Sequence, residues 1–508
     1  MKKLDKFPCD LIAALLCALL VLFAALPYIN LSVGWGDDQA AYISDGIALA
    51  EGSFDEKISL NSLMHPSQLA EQDRGDTRVY VWGYSLMQAL VYRLVGFDRV
   101  DYHTVIYYHL PGLICLCLLA AVLYLWFRRS FGLVPSFVMS LFFCCNNQIM
   151  QNLRIMYSDV PFLLFALLCY LLSEMHTERI LDGRPSLPLA LSFGLVLWYC
   201  CETRANGMAI AATLALGQLL GYLRAEKNRR SFILLLLPFI LLAGLKFIFE
   251  SFILYPSTPD VGEIVLSQPQ LMLDNLRLYL DNLLLWIVDF PLIPAESLMP
   301  VMKLAMYVFL FLFLLGAVLS FREKAHYLIL TLGTFALLLT LKYNQGVRYF
   351  FPVLPLMMMF AFTALDWIWK KLSPHISFRP GKALRAASAA ALLGICLAAT
   401  ALTAAVGMRI KNAEPVGAYS DDAIEIYAYI QSNTSPDSVI AFFKPRFLYL
   451  NTQRLSFAPM LNGHEIYLAD YYLCDHYCSE KEYRQLLASG TSFEEEYRND
   501  SFVLYKIG

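Results

Sequence analysis

GWGDDQAAYISDGIALAEG, residues 34–52, follows directly on an apolar run, Leu11 to Leu26, that reads as a membrane span. Two adjacent carboxylates, Asp37 and Asp38, therefore stand where the chain has just left the bilayer. Charge at that depth is costly beside hydrocarbon and is normally retained for a function. Lys2, Lys3 and Lys6 flank the run as they would a signal peptide. No small-residue cleavage site follows it before Asp37, so it reads as a retained first span.

The rest of the composition agrees. The 508 residues are 58% hydrophobic and 16% charged, with a net charge of −3, and the mean hydropathy is +0.53. Soluble chains are nearer half apolar and a quarter charged, so the sequence predicts a polytopic α-helical membrane protein. The small net charge argues against nucleic acid as a partner. Apolar windows predict about eleven transmembrane helices. They lie near 10–29, 105–127, 133–149, 158–174, 187–203, 206–222, 231–253, 300–320, 326–341, 347–369 and 384–407.

Orientation follows from lysine and arginine. Alternate connections, MKKLDK, FRRS, HTERILDGR, LRAEKNRR, FREKAH and WKKLSPHISFRPGKALR, are all basic. The opposite region 254–299 holds Asp260, Glu263, Asp274, Asp281, Asp289 and Glu296 against Arg277. This predicts an integral plasma (inner) membrane protein with its N-terminus in the cytoplasm. Residues 30–104, 254–299 and 408–508 then lie outside, and a transmembrane domain, 1–407, precedes an extracytoplasmic domain, 408–508.

That tail reads as a small α/β domain. SDDAIEIYAYIQSNTSPDSVIAFF starts at a capping-type Ser420, keeps a helical period through Ile424, Tyr427 and Ile430, and breaks at Ser435-Pro436. SVIAFF, RFLYLNT and SFVLYKI read as strands, and SEKEYRQLLASG as an amphipathic helix closed by Gly490. Most of the cysteines lie in or beside apolar spans, where they behave as small hydrophobes. Cys474 and Cys478, in LCDHYC, read as structural, with a disulfide favoured over a metal. His476 and two thiols are too few ligands for zinc.

The charged residues of the outer face are the candidates for chemistry. From Gln39 onward the residues favour a helix on which Asp38, Tyr42, Asp45 and Leu49 share a face. Asp37 and Asp38 occupy its start, where backbone N–H groups favour anions, which predicts a low pKa. One Asp would cap such a helix, so a pair points to more than capping. RIMYSDVPFLLF puts Asp159 at the outer start of a later span, where its plain role is helix initiation. LKYNQGVRYFFPVLP places Lys342 and Arg348, with Tyr349, on the side from which the positive-inside bias should exclude cations. Snorkelling is their plain role, and gripping a phosphate their chemical one. CETRANGMAI sets Arg204 at a tight outer turn. The first loop adds His65, Arg74 and Arg78, then VWGYSLMQALVYRLVG, an amphipathic segment suited to the membrane interface.

In order, GDDQAAYISDGIALAEG, YVWGYSLMQALVYRLVG, SDVPF, TRANG and GVRYFFPVLP resemble the integral-membrane glycosyltransferases of the C superfamily (GT-C). The likeness is to the branch holding dolichyl-phosphate-mannose protein mannosyltransferases and aminoarabinose lipid A transferases, with their bacterial relatives. The resemblance implies an inverting glycosyltransferase that takes a hexosyl or pentosyl group from a polyprenyl-phosphate carrier. The acceptor would be a lipid, glycan or protein of the cell envelope at the extracytoplasmic face. It carries the family's acidic pair onto Asp37 and Asp38 and its helix tyrosine onto Tyr42. Asp-Asp stands here where relatives commonly read Asp-Glu. The family's first-loop lysine has no aligned counterpart, leaving Lys57, Arg74 and Arg78 as rivals for the phosphate.

The expected site is therefore Asp37 as base, with Asp38 and Asp159 orienting the acceptor. Tyr42, Arg74, Arg78, Arg204, Lys342, Arg348 and Tyr349 would bind substrate. No cofactor is required by these residues, and a divalent metal on Asp38 and Asp159 stays open. Two other classes compete. A secondary transporter would bury its charges near the midplane and show repeated halves, whereas these charges cluster outside and no repeat is visible. A non-catalytic scaffold for envelope glycan assembly has no such distinguishing mark.

Overall fold

The computed structural model describes residues 7–54, 80–95, 103–224, 229–253, 268–288, 299–341, 346–374, 382–459, 466–475 and 492–508. Its membrane part is helical. The chain enters through α1 (Phe7–Ala25), then α2 (Asp37–Glu51) and α3 (Gly83–Val95) of the first loop. Next come α4 (Leu110–Arg128), α5 (Leu133–Cys144), α6 (Asn147–Arg154), α7 (Asp159–Leu181), α8 (Leu187–Thr203), α9 (Gly207–Arg224) and α10 (Arg229–Ile248). The series ends with α11 (Pro269–Val288), α12 (Met299–Leu319), α13 (Phe321–Thr340), α14 (Leu354–Leu372) and α15 (Lys382–Asn412).

Helices lie over each of the intervals expected from the sequence. By length and composition, six among the described residues can cross a membrane. A seventh is the pair α5 and α6 if counted together, bent by 47° at residues 145–146. The α8 and α9 helices are apolar but shorter. On α1, Leu11, Ile12, Leu15, Leu16, Leu19 and Phe23 are exposed, while Cys17, Val21 and Ala24 are buried against the bundle. A helix that keeps large apolar side chains on its outer face is built for lipid rather than water.

One helix occupies a stretch read from sequence as part of a polar outer region. Along α11, Asn275, Tyr279, Leu283 and Trp286 are buried at helical spacing, and the Asn275 amide donates to the Leu341 carbonyl at 2.7 Å. Asp274, Arg277 and Asp281 sit on the exposed side of the same helix. They depress the hydropathy of the window without disturbing the buried stripe.

The C-terminal unit carries α16 (Asp421–Asn433), β1 (Val439–Ala441), α17 (Pro445–Thr452), β2 (Leu455–Phe457), β3 (Tyr471–Asp475), β4 (Phe493–Arg498) and β5 (Phe502–Ile507). Its sheet order is β2-β1-β3-β5-β4, with β1 parallel to both neighbours and β5 antiparallel to both of its own. Ile426 and Ile430 of α16 pack on Ile440, Leu473 and Leu504 of the sheet.

RFLYLNT, expected as a strand, is instead the helix α17. Pro445 occupies its first turn, a position that needs no N–H donor. Phe447 and Leu450 pack towards α2, on Val33, Ala40 and Ile43, while Leu448 packs on the sheet. Apolar residues one and three apart serve two faces of a helix here, which a strand's alternation cannot do. The SEKEYRQLLASG helix, His476 and Cys478 lie outside the described residues.

The C-terminal unit is docked on the entry to α2. The Ala418 N–H donates to the Val33 carbonyl at 3.1 Å. A side chain at Gly417 (φ 83°) would start 2.2 Å from that carbonyl, so the contact requires glycine. Trp35 stands edge-on to Phe442, Phe447 and Phe502, at 5.7, 5.9 and 6.0 Å between centroids.

Candidate active site

α2 starts at Gly36 as N-cap and closes at Gly52 in the left-handed region. It packs along α3 at Gly46, where a Cβ would meet the Ser85 carbonyl and Gln88 at 2.8 Å. α3 leaves Leu86, Leu90 and Leu94 exposed in one stripe, the pattern of a helix lying in a membrane interface. The first turn of α2 is thereby pressed between the membrane helices and the C-terminal unit.

Asp37 and Asp38 both sit in that first turn, and no side-chain cap bond forms there. They part in their contacts. The Asp38 carboxylate accepts from the Tyr80 hydroxyl at 2.8 Å. The Asp37 carboxylate faces Arg446 of α17, at 3.6 Å from Nη1. The other Asp37 oxygen is buried with no hydrogen-bond partner among the described residues. Burial pushes the Asp37 pKa above the usual carboxylate range, although Arg446 and Lys444 pull it down. The low pKa expected from the helix start is thus overturned, because desolvation outweighs the helix dipole and both cations.

One turn further along α2, the Tyr42 hydroxyl pairs with Ser158 Oγ at 2.9 Å. Tyr42 packs on the rings of Tyr80 and Tyr84, each at 5.0 Å. Burial raises the pKa of both Tyr42 and Tyr80, keeping their protons in place as donors. Ser158 is the N-cap of α7 but makes no cap bond with its side chain, its hydroxyl being turned to Tyr42 and Arg204.

Asp159 begins α7 and pairs with Arg204 Nη1 at 2.8 Å. Burial alone would lower the Arg204 pKa, but the Asp159 carboxylate beside it holds the guanidinium charged. Arg204 also lies over the Tyr349 ring at 5.3 Å. Arg348, in the 3-10 turn Val347–Phe350 ahead of α14, stacks over Tyr157 at 4.8 Å and Tyr349 at 5.5 Å. Asp159, Arg204, Asn206, Arg348 and Tyr349 line one small cavity. Two guanidinium groups held by aromatic faces and one carboxylate leave donors to spare for an anion.

Asp37, Asp38, Tyr42, Asp159, Arg204, Arg348 and Tyr349 thus stand on neighbouring elements at one end of the bundle. Lys57, Arg74, Arg78 and Lys342 lie outside the described residues. Among the described residues, no three His, Cys, Asp or Glu side chains converge as metal ligands. Sequence reasoning missed Arg446, Tyr80 and Tyr157. The only local mark on Arg446 is that it and Lys444 bracket Pro445 at a break between apolar runs. A larger cavity opens at the other end of α7, between α7, α9 and α13. Its Glu174 is already met by Lys324 at 2.9 Å, Arg129 at 3.3 Å and the Tyr327 hydroxyl at 3.1 Å.

Solved structures share this arrangement of helices and C-terminal unit. The archaeal oligosaccharyltransferase AglB from Archaeoglobus fulgidus, in complex with an inhibitory peptide and a dolichol-phosphate, matches with a TM-score of 0.57 and 11% identity, over 100% of this chain and 77% of that one. ArnT from Cupriavidus metallidurans in the apo state matches with a TM-score of 0.54 and 13% identity, over 97% of each chain. The same protein bound to undecaprenyl phosphate matches with a TM-score of 0.50 and 14% identity. The chain shares the fold of these two proteins. No family model and no curated protein matches it by sequence. At such identities the likeness is one of fold, and the chemistry has to be argued from the residues at this end of the bundle.

Proposed function

We propose that this protein is an inverting glycosyltransferase that moves a sugar from a polyprenyl-phosphate carrier to an acceptor hydroxyl on the extracytoplasmic membrane face. The chain then crosses the membrane eleven times, with its N-terminus in the cytoplasm and residues 408–508 outside as a separate α/β domain. The observation that carries the reading is the gathering at one end of a GT-C fold of a buried carboxylate pair, Asp37 and Asp38, and a cation pair, Arg204 and Arg348. Two structures of that fold hold a polyprenyl-type phosphate, dolichol-phosphate in one and undecaprenyl phosphate in the other.

In this reading the acceptor oxygen attacks the anomeric carbon from the face opposite the phosphate. A new C–O bond forms as the bond to the phosphate oxygen breaks, and polyprenyl phosphate leaves with the electron pair. Asp37 takes the acceptor proton and later returns it to water. Arg204 and Arg348 receive the charge that grows on the leaving phosphate. That group departs as a stable anion and needs no acid, so one base suffices, in contrast to a glycosidase with its two carboxyl groups. Asp38 and Asp159 orient the acceptor. A secondary transporter would hold its charges near the midplane, whereas the first turns of α2 and α7 hold them here at helix ends.

The test is transfer by the purified full-length protein from a panel of synthetic polyprenyl-phosphate sugars, beside mass spectrometry of lipid-linked sugars in a strain lacking the protein. Transfer from one donor, with that donor accumulating in the strain, supports the reading. Neither transfer nor accumulation overturns it.

A further inference from the structure

The C-terminal unit does more than cover the bundle. α17 points its N-terminus at the first turn of α2. Its N-cap is Lys444, its first turn holds Pro445, and Arg446 follows. The Arg446 main-chain N–H, one of the donors that a helix start leaves without an intrahelical partner, faces the Asp37 carboxylate and favours its charged form. The Arg446 guanidinium, with its side chain only 5% exposed, lies 3.6 Å from the same carboxylate. It also reaches the Tyr80 hydroxyl at 3.4 Å and covers that ring at 5.6 Å, while Tyr80 donates to Asp38 at 2.8 Å. One buried arginine from the far end of the chain therefore contacts both members of the acidic pair, directly at Asp37 and through Tyr80 at Asp38. Trp35, two residues before Asp37, is gripped by Phe442, Phe447 and Phe502 of the same unit.

A carboxylate buried this deeply keeps its charge only if something opposes desolvation. The groups facing Asp37 are Arg446, Lys444 and the buried Tyr427 from the C-terminal unit and Asp38 from its own helix. Tyr80, Asp38 and Asp45 in turn face Arg446. Asp38 is a like charge and works against ionisation of Asp37. Both cations that favour it come from residues 444–446.

We propose that Arg446 is a positioning residue of the catalytic site, holding the Asp37 carboxylate charged and in place, so that transfer requires the C-terminal unit docked on α2. The inference rests on the glycosyltransferase reading for its catalytic part alone; the docking part stands on contacts. A base must be ionised to take a proton. Removing the guanidinium makes ionisation harder, so the acid limb of kcat/KM moves to higher pH.

The experiment compares wild type, Arg446→Gln, Arg446→Lys and Asp37→Asn as purified full-length proteins. The readouts are kcat/KM against pH with a synthetic polyprenyl-phosphate sugar, and amide hydrogen exchange over residues 36–42. Arg446→Gln is expected to lose about tenfold or more at neutral pH, to recover as pH rises, and to leave the KM for the donor lipid unchanged. Arg446→Lys keeps a cation and is expected to restore the wild-type limb in large part. Faster exchange at 36–42 in Arg446→Gln supports the clamp. An acid limb that superimposes on wild type overturns the catalytic part, and unchanged exchange overturns the docking part. If the wild type transfers nothing from any lipid-linked sugar, the functional reading falls, and the exchange result alone decides whether Arg446 clamps α2.

Discussion

The hydroxyls of Tyr42 and Ser158 stand 2.9 Å apart, although 116 residues separate them in the chain. The contact ties the first-loop helix α2 to the start of α7, and so sets the acidic pair against Asp159 and Arg204. Tyr42→Phe keeps the ring packed on Tyr80 and Tyr84 and removes only the oxygen. Ser158 retains Arg204 Nη1 at 3.3 Å, so the stability cost is expected at the low end for a buried hydrogen bond, about 1 kcal/mol. Turnover should fall more than stability, because α2 loses its fixed distance from α7. Thermal unfolding of the purified variant beside its kcat/KM checks both halves; full turnover would reduce Tyr42 to a packing residue.

Arg348 tests the phosphate end. Its guanidinium lies over both the Tyr157 and the Tyr349 ring, at 4.8 and 5.5 Å, contacts that a planar guanidinium makes better than a compact ammonium. Arg348→Ala is expected to weaken donor use strongly, since a charge-assisted bond to the leaving phosphate strengthens as that group departs. Arg348→Lys should recover little. Steady-state kinetics over a donor titration decides the matter, and normal turnover by Arg348→Ala would shift the role to Arg204 or Lys342.

Sidedness can be read independently of catalysis. Ser435 is exposed at the end of α16, in the unit expected outside the membrane. A cysteine placed there, or at Ser67 in the first loop, should react with a membrane-impermeant thiol reagent in intact cells. Protection of both positions, with labelling only after the membrane is opened, would invert the topology argued from the basic loops.

How far the sequence spoke depended on where charge met apolar pattern. Asp37, Asp38 and Asp159 were legible because carboxylates at the ends of apolar runs are conspicuous, and Arg204 and Arg348 because cations on the acidic face break a bias. Helix α11 was hidden for the opposite reason. Asp274, Arg277 and Asp281 lower its hydropathy from the exposed face, while the stripe through Asn275, Tyr279, Leu283 and Trp286 keeps the helical spacing. Arg446 was lost through the misread α17. A run such as RFLYLNT has the residues of a strand, and only burial on two sides, against α2 and against the sheet, makes it a helix. No local pattern could bring Arg446 to Asp37, because a contact of that span is set by how the two units dock.

Asp37 itself carries the last prediction. Its carboxylate is buried, one oxygen has no partner among the described residues, and burial holds its pKa above the ordinary carboxylate range. A base with a raised pKa accepts a proton more readily, and it works only above that pKa, where it is ionised. The expected kcat/KM therefore falls as pH drops through a value higher than that of a free aspartate, and holds on the alkaline side. Asp37→Asn matches the side chain in shape and cannot accept the proton. It is expected to express and fold, with some loss of thermal stability from the weakened contact to Arg446, yet to lose transfer by roughly a hundredfold or more, the loss attributed to removing a general base. Asp38→Asn keeps an acceptor for the Tyr80 hydroxyl and should be damaging but less complete. The measurement is transfer from a synthetic polyprenyl-phosphate sugar by each purified variant across the pH range. Near wild-type turnover by Asp37→Asn would mean that the buried carboxylate serves to seat α2 against Arg446, and that the base lies elsewhere.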